Sequence, residues 1–109
     1  MLNKNAKEWV TALRSGKYPQ GFGRLMKHGA FCCLGVAASI CPDAEPGWVN
    51  RSLLPPEVQG WLNLGSWDGA FQHATLANLN DQENTFAEIA DIIESEPEGL
   101  FREVSNGLE

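Results

Sequence analysis

Apolar residues recur at helical spacing in two well-bounded stretches of the chain. Ala6, Trp9, Val10 and Leu13 fall at i, i+3, i+4 and i+7, which is one face of a helix. Ahead of that stripe, Asn5-Ala6-Lys7-Glu8 reads as a capping box, an Asn folding back on the first amides with a Glu three residues on. Gly16 supplies a left-handed stop, so the spacing predicts a helix over about 5–15. Thr85-Phe86-Ala87-Glu88 repeats the capping device, and Phe86, Ile89, Ala90 and Ile93 repeat the stripe, bounded by Pro97. A further turn or two from Pro97 is expected to bury Leu100, Phe101 and Val104.

The middle of the chain is patterned differently. Ala30 to Ile40 is apolar all round, and its length and three Ala favour a buried central helix over a strand. Gly35 weakens such a helix by about 1 kcal/mol relative to Ala, which points to a close approach by a neighbour. Cys41-Pro42 ends it. Ser15 to Leu25 holds three Gly and a Pro and reads as a loop, with a short hairpin near 22–33 turning at His28-Gly29. Residues 42–52 form a second loop. Pro55-Pro56 opens another helix, with Val58, Trp61 and Leu62 inward and Gly65 as its stop. Ser66–Phe71 reads as irregular, Leu76 and Leu79 as one short helical stretch, and Asn80 to Asn84 as a turn. No repeat or linker divides residues 1–109. The expectation is one small domain, mainly α with α+β as the alternative, of about four to five helices around the buried central one.

Composition narrows the class. The 109 residues are 43% hydrophobic and 20% charged, which fits a globular chain and excludes a disordered one. No apolar run approaches the roughly 18 residues a membrane span needs. Met1 leads into polar Asn3-Lys4-Asn5 instead of a signal sequence, and three Cys do not make a disulfide framework. A cytoplasmic protein is expected. The net charge of −6 is segregated: residues 1–28 carry six cations against Glu8, and residues 29–109 carry two against thirteen acids. Unless the fold interleaves the two segments, a basic face on an acidic body can focus an anion. Direct duplex nucleic-acid binding is disfavoured, because it needs a broad positive footprint.

The order of motifs adds a resemblance. Trp9…Ala12-Leu13-Arg14-Ser15-Gly16-Lys17-Tyr18-x-Gln20-Gly21-x-Gly23-x-Leu25, then Phe31-Cys32-Cys33-Leu34-Gly35-Val36, is the most distinctive part. Leu54-Pro55-Pro56-x-Val58-x-x-Trp61-Leu62-x-Leu64, Leu79-Asn80-Asp81 and Phe86-Ala87-Glu88-Ile89-Ala90-Asp91-Ile92-Ile93-Glu94 follow. Together they resemble a family of small uncharacterised proteins of tailed phages and prophages, from about residue 9 to 94. A looser likeness extends to uncharacterised actinobacterial proteins. The resemblance implies provenance and no assigned chemistry: small phage proteins outside the virion often act on host defence. At Phe22 and Met26 this chain departs from the family, which more often has basic residues there.

Three constellations could carry a function. In the loop, Arg14, Lys17 and Arg24 are cationic donors, and Ser15 and Gln20 neutral ones. Gly16, Gly21 and Gly23 admit a ligand close to the backbone, and Tyr18 and Phe22 offer faces for a base. This set suits a small nucleotide-like anion, without the order of a Walker loop. The plainer reading is a solvated turn whose aromatics cap the core. Glu88, Asp91 and Glu94, among seven acids between Glu83 and Glu103, offer a nucleic-acid-mimicking face for a host protein, as an anti-CRISPR-like inhibitor would. Cys32, or Cys33, at a helix start is the candidate nucleophile of a cysteine hydrolase, with His28 or His73 as base; small apolar core residues are the plainer reading.

No metal-ligand spacing is present, and the oxygens of Asn80-Asp81-x-x-Asn84-Thr85 fit turn chemistry better than a cation. Trp48 and Trp67 lie outside the helical stripes, as core lids or interface anchors. The leading expectation is a non-enzymatic accessory binding protein, without cofactor, that sequesters a small nucleotide-like signal in one pocket formed by the loop 14–24. It is followed by the acidic inhibitor and then the hydrolase. A homodimer is compatible with each.

Overall fold

The computed structural model describes residues 2–102. Five helices, α1 Lys4–Arg14, α2 Cys33–Ile40, α3 Pro56–Leu62, α4 Leu76–Asp81 and α5 Phe86–Glu94, make the architecture mainly α. Two antiparallel hairpins accompany them, β1 Met26–Lys27 with β2 Ala30–Phe31 and β3 Ala70–Phe71 with β4 Ala74–Thr75. A 3-10 helix at Pro46–Asn50 fills the connection between α2 and α3.

α1 buries the expected stripe of Ala6, Trp9, Val10 and Leu13, and Ala12 with it. It ends at Ser15, with Gly16 in the left-handed region at φ 77°. Its start differs from the capping-box expectation. Asn3, not Asn5, is the N-cap, accepting from the Ala6 amide at 2.9 Å. Asn5 lies inside the first turn, where its Nδ2 donates to the Trp61 carbonyl at 2.8 Å. Asn3 Nδ2 donates to the Leu62 carbonyl at 3.0 Å, so the same two side chains fasten α1 to the end of α3. At α5 the capping box forms in both directions. The Glu88 amide donates to Thr85 Oγ1 at 3.1 Å, and the Thr85 amide to Glu88 Oε1 at 2.8 Å.

The first hairpin turns at His28-Gly29 as expected. Both turn residues have positive φ, 53° and 80°, the backbone that matches the twist of a two-residue hairpin loop. Gln20 makes one isolated parallel bridge to Phe31, which ties the loop before the hairpin to β2. α2 begins three residues later than the apolar run, because Ala30 and Phe31 belong to β2.

Other boundaries are corrected by tertiary contacts. α3 stops at Asn63, which takes the left-handed cap at φ 61°; Gly65 instead pairs with the Leu100 carbonyl. Trp61 is only half-buried on that helix. The supposed turn over Asn80–Asn84 is helical through Asp81, and the irregular Ser66–Phe71 ends in the second hairpin, which turns at Gln72-His73 without a glycine. Beyond Pro97 the chain makes one turn, as expected, and then a bridge, Leu64 to Phe101, which leaves Phe101 half-buried. Leu100 is buried there as expected, and Val104 lies outside the described residues.

The core is built on α2, buried over six consecutive residues from Cys33 to Ala38. α1 and α4 pack on it, and α5 lies against α1. Trp9 Nε1 donates to the Cys33 carbonyl at 2.9 Å, so the largest core side chain buries no unpaired donor. Gly35 fulfils its expected role: a Cβ there would stand 1.8 Å from the Leu25 carbonyl oxygen. That carbonyl also accepts from the Cys32 amide at 3.1 Å, which holds the strand against the helix and leaves the clash no relief. Gly35→Ala is therefore expected to destabilise the fold by about 3 kcal/mol or more, at the severe end of overpacking, as read by urea unfolding. Ala37→Gly in the same helix should cost less, about 2 kcal/mol from helix propensity and the loss of one buried methyl.

Candidate functional site

A helix begins with amides that have no partner inside it, and α2 begins with two cysteines. Cys32 Sγ takes the Gly35 amide at 3.3 Å, a weak cap. The Cys33 amide is taken at 3.1 Å by Oδ1 of Asn80, a fully buried side chain on α4. The same oxygen accepts from Gln20 Nε2 at 3.0 Å, and Asn80 Nδ2 donates to the Gly21 carbonyl at 2.8 Å. Gln20 Nε2 reaches the Asn84 carbonyl as well, at 2.7 Å. The Gly21 amide donates to the Phe31 carbonyl at 2.7 Å, and the Gly23 amide to Asp81 Oδ1 at 3.0 Å. The Asn-Asp oxygens thus serve the loop and the helix start rather than a cation.

The loop residues singled out in sequence are consequently divided. Gln20, Gly21 and Gly23 are tied into the fold, and a Cβ at Gly21 would lie 2.9 Å from that of Ala30. Gly23 and Arg24 line a hollow of about 40 Å³ with Cys32 and Asp81. Arg14 faces α5, where its Nη2 donates to Asp91 at 2.5 Å and to Glu94 at 2.9 Å. Those two carboxylates draw its proton affinity further up, the hydrogen bond it donates to Glu94 foremost. Arg14 and Ser15 border a groove of about 830 Å³ between α1 and the end of α5. Ser15, Lys17 and Tyr18 border another, of about 580 Å³, on the other side of α1. The expected convergence of all eight residues on one pocket does not occur, because Asn80 pulls the middle of the loop toward α4 while Arg14 turns to α5.

The second groove is the cationic one. Lys4, Lys7 and Lys17 line it with Thr11, Tyr18 and Ile40, and Glu8 is the only acid in its walls. Among the described residues none of the three lysines makes an ion pair. Lys4 and Lys7 were visible in the sequence as part of the basic segment, but their place in the groove depends on helix phase, since positions 4, 7, 8, 11 and 15 share one side of α1. Tyr18 is held by Phe31, edge-on at 5.4 Å, and Phe31 by Trp48 at 6.4 Å. Trp48 is thus a half-buried lid, whereas Trp67 stands exposed.

The two other constellations change character. Glu88 is held in the α5 cap, and Asp91 and Glu94 are engaged by Arg14, so the acidic face carries a cation at its centre. Cys32 and Cys33 are buried, and loss of solvation pushes both thiols up, not down as a nucleophile at a helix start would need. Cys41 is likewise raised by burial. His28 and His73 sit exposed at the two hairpin tips, and neither lines the hollow beside Cys32. Among the described residues no group of three His, Cys, Asp or Glu could hold a metal, and no helix is long and apolar enough to cross a membrane.

A family model described as Domain of unknown function (DUF8296) matches residues 1–97. No curated protein and no solved structure matches the chain.

Two expectations follow from these environments. In the folded protein at pH 7, Cys32 and Cys33 should resist iodoacetamide and become labelled only in denaturant, as counted by intact mass. The Arg14 hydrogen bond lowers the Glu94 carboxyl below its ordinary 4.5, so the pair stabilises the fold above that pH and fades as pH falls through the depressed value. The difference in melting temperature between the parent and Arg14→Ala should be present at neutral pH, then shrink below pH 4.5 and in high salt.

Proposed function

Because the chain belongs to the family described as Domain of unknown function (DUF8296), we propose its function from the α1 face: it is a non-enzymatic binding protein that captures a small anionic, nucleotide-like molecule. The three lysines around the second groove, none of them in an ion pair among the described residues, carry this reading. In a chain of net charge −6, three ammonium groups gathered around one groove with a single acid in its walls form a local positive field within an acidic surround. A phosphate entering that field replaces part of the lysines' hydration with charge-assisted hydrogen bonds. Tyr18 and Ile40 offer an apolar wall for a ring, and Thr11 a hydroxyl. From Lys4 to Ser15 α1 rises about 16 Å, room for a nucleotide laid along the helix. The volume lies within the usual range for small-molecule sites.

Binding without turnover is supported by the three thiols, whose proton affinity burial raises, and by the lining of the Cys32 hollow, which includes neither His28 nor His73. With the resemblance to phage and prophage proteins, this supports an accessory factor acting in the bacterial host cytoplasm, where holding a nucleotide-like defence signal would silence it. The acidic-inhibitor reading has less support, since Asp91 and Glu94 already hold Arg14.

Calorimetry against ADP, ATP, a cyclic dinucleotide and inorganic pyrophosphate tests the proposal. At least one should bind, more weakly as salt rises. Lys7→Ala and Lys17→Ala should each weaken it about tenfold, the loss of one hydrogen bond to a charged group. Arg24→Ala should leave it unchanged, because Arg24 lines a different hollow. Absence of binding by the whole panel, or binding indifferent to the lysine substitutions, overturns the assignment.

A further inference from the structure

The two large grooves meet. Lys7, Thr11 and Ser15, at i, i+4 and i+8 along α1 and its cap residue, line both of them. A single row of side chains therefore separates the lysine groove of about 580 Å³ from the larger one of about 830 Å³. On that row Ser15 Oγ already donates to the Ala12 carbonyl at 2.6 Å and accepts from the Lys17 amide at 3.2 Å. Lys7 and the exposed Thr11 hydroxyl are the donors left to a ligand that crosses it.

The grooves differ in charge. Three lysines against Glu8 draw an anion to the first. The larger groove sets Lys7 and Arg14 against Glu94 and Glu96, a balance that suits a neutral group. What the two share is a planar group held from behind. In the lysine groove Phe31 fixes the Tyr18 ring, edge-on at 5.4 Å. In the larger groove Asp91 and Glu94 fix the Arg14 guanidinium at 2.5 and 2.9 Å, while 37% of its side chain stays exposed. Those carboxylates offset its charge, so its flat face is better suited to a ring than to a phosphate. Phenol rings and guanidinium planes both stack on nucleobases, and a plane already fixed gives up little freedom in doing so. Leu2 and Val10 add apolar wall beside Arg14, as Ile40 does beside Tyr18.

Resting on the anion capture proposed above, we infer that the ligand is a dinucleotide laid across α1. Its phosphodiester sits on the row of Lys7 and Thr11, one base lies against Tyr18, and the other lies against Arg14. A mononucleotide fills the lysine groove alone and leaves the Arg14 plane to water. The second base of a dinucleotide reaches that plane without a second loss of translational freedom, because the phosphodiester has already brought it there. Arg14 thus determines the choice between one nucleotide and two.

Calorimetry with charge-matched pairs decides it. The linear dinucleotides pApA and pGpG are compared with ADP and GDP, which carry nearly the same charge on the same base. At least one dinucleotide should bind, one per chain, about tenfold or more tightly than its mononucleotide. Arg14→Ala gives up only exposed ion pairs and should stay folded. It should shrink the dinucleotide's advantage about fivefold or more, the loss of one stacking partner. Arg14→Lys should shrink it equally, since lysine restores the charge without the plane. The comparison in the parent protein needs no substitution and decides by itself if either variant fails to fold. Equal affinity for one nucleotide and two, an advantage that survives Arg14→Ala, or its rescue by lysine would overturn the dinucleotide. Mononucleotide binding that weakens with Lys7→Ala would then leave the capture of a nucleotide-like anion standing. Should none of the four bind, the dinucleotide is overturned, and anion capture is decided by ATP, the cyclic dinucleotide and pyrophosphate.

Discussion

In the interior of a protein an amide side chain must find partners, since an unmet donor or acceptor there costs about 1–3 kcal/mol. Asn80 is buried completely, and its three partners come from two distant parts of the chain: the first amide of α2, and the Gln20 side chain and Gly21 carbonyl of the loop. α2 needs that contribution. It has no Ser, Thr, Asp or Asn at its start, and the sulfur of Cys32 is a poor substitute for an oxygen. One carboxamide therefore completes the cap of the central helix and ties the loop to that helix start. It also sets α4 against both. Loss of the amide would leave the Cys33 N–H, the Gly21 carbonyl and the Gln20 side chain short of partners together, so these elements stand or fall as one unit.

The same constraint shapes what the surface can offer. The glycine-rich loop has the donors and flexibility of a ligand cradle when read as a sequence, but its centre is drawn into the Asn80 network and its backbone groups are used internally. What remains outside is Phe22, presented on a fixed tip, and Arg24 beside Asp81. The loop's polar groups serve the fold, and the lysines gather instead along α1 and just beyond it.

The four cations between residues 4 and 17, three on α1 and Lys17 just beyond it, face different ways. Arg14 reaches α5 and joins two carboxylates, uniting the basic start of the chain with its acidic end. Exposed pairs of this kind contribute little to stability and are weakened by salt, so their main effect is on the field: they remove one positive and two negative charges from circulation. Lys4, Lys7 and Lys17 are left around a groove with a single acid. Segregated charge along the sequence is thus partly interleaved by the fold and partly preserved.

The elements governed by neighbours along the chain were legible from residue order alone. The stripes of α1 and α5, the cap of Thr85 with Glu88, the glycine stop at Gly16 and the His28-Gly29 turn all depend on residues within a few positions of each other. Gly35 was legible too, as a missing Cβ in an otherwise apolar helix. The choice of Asn3 over Asn5 as cap was not, because it turns on bonds to Trp61 and Leu62 more than fifty residues away. Nor was the burial of Asn80, whose stripe position after Leu76 carried a residue type that usually marks a turn. The second hairpin lacked a glycine at its tip, and Arg14's partners lie 77 and 80 residues on. Hydrophobic period and capping chemistry are local and leave a trace at fixed spacing. Hydrogen bonds and ion pairs between distant segments have no such spacing, so only the packed structure decided which polar groups were consumed within it and which were left facing solvent.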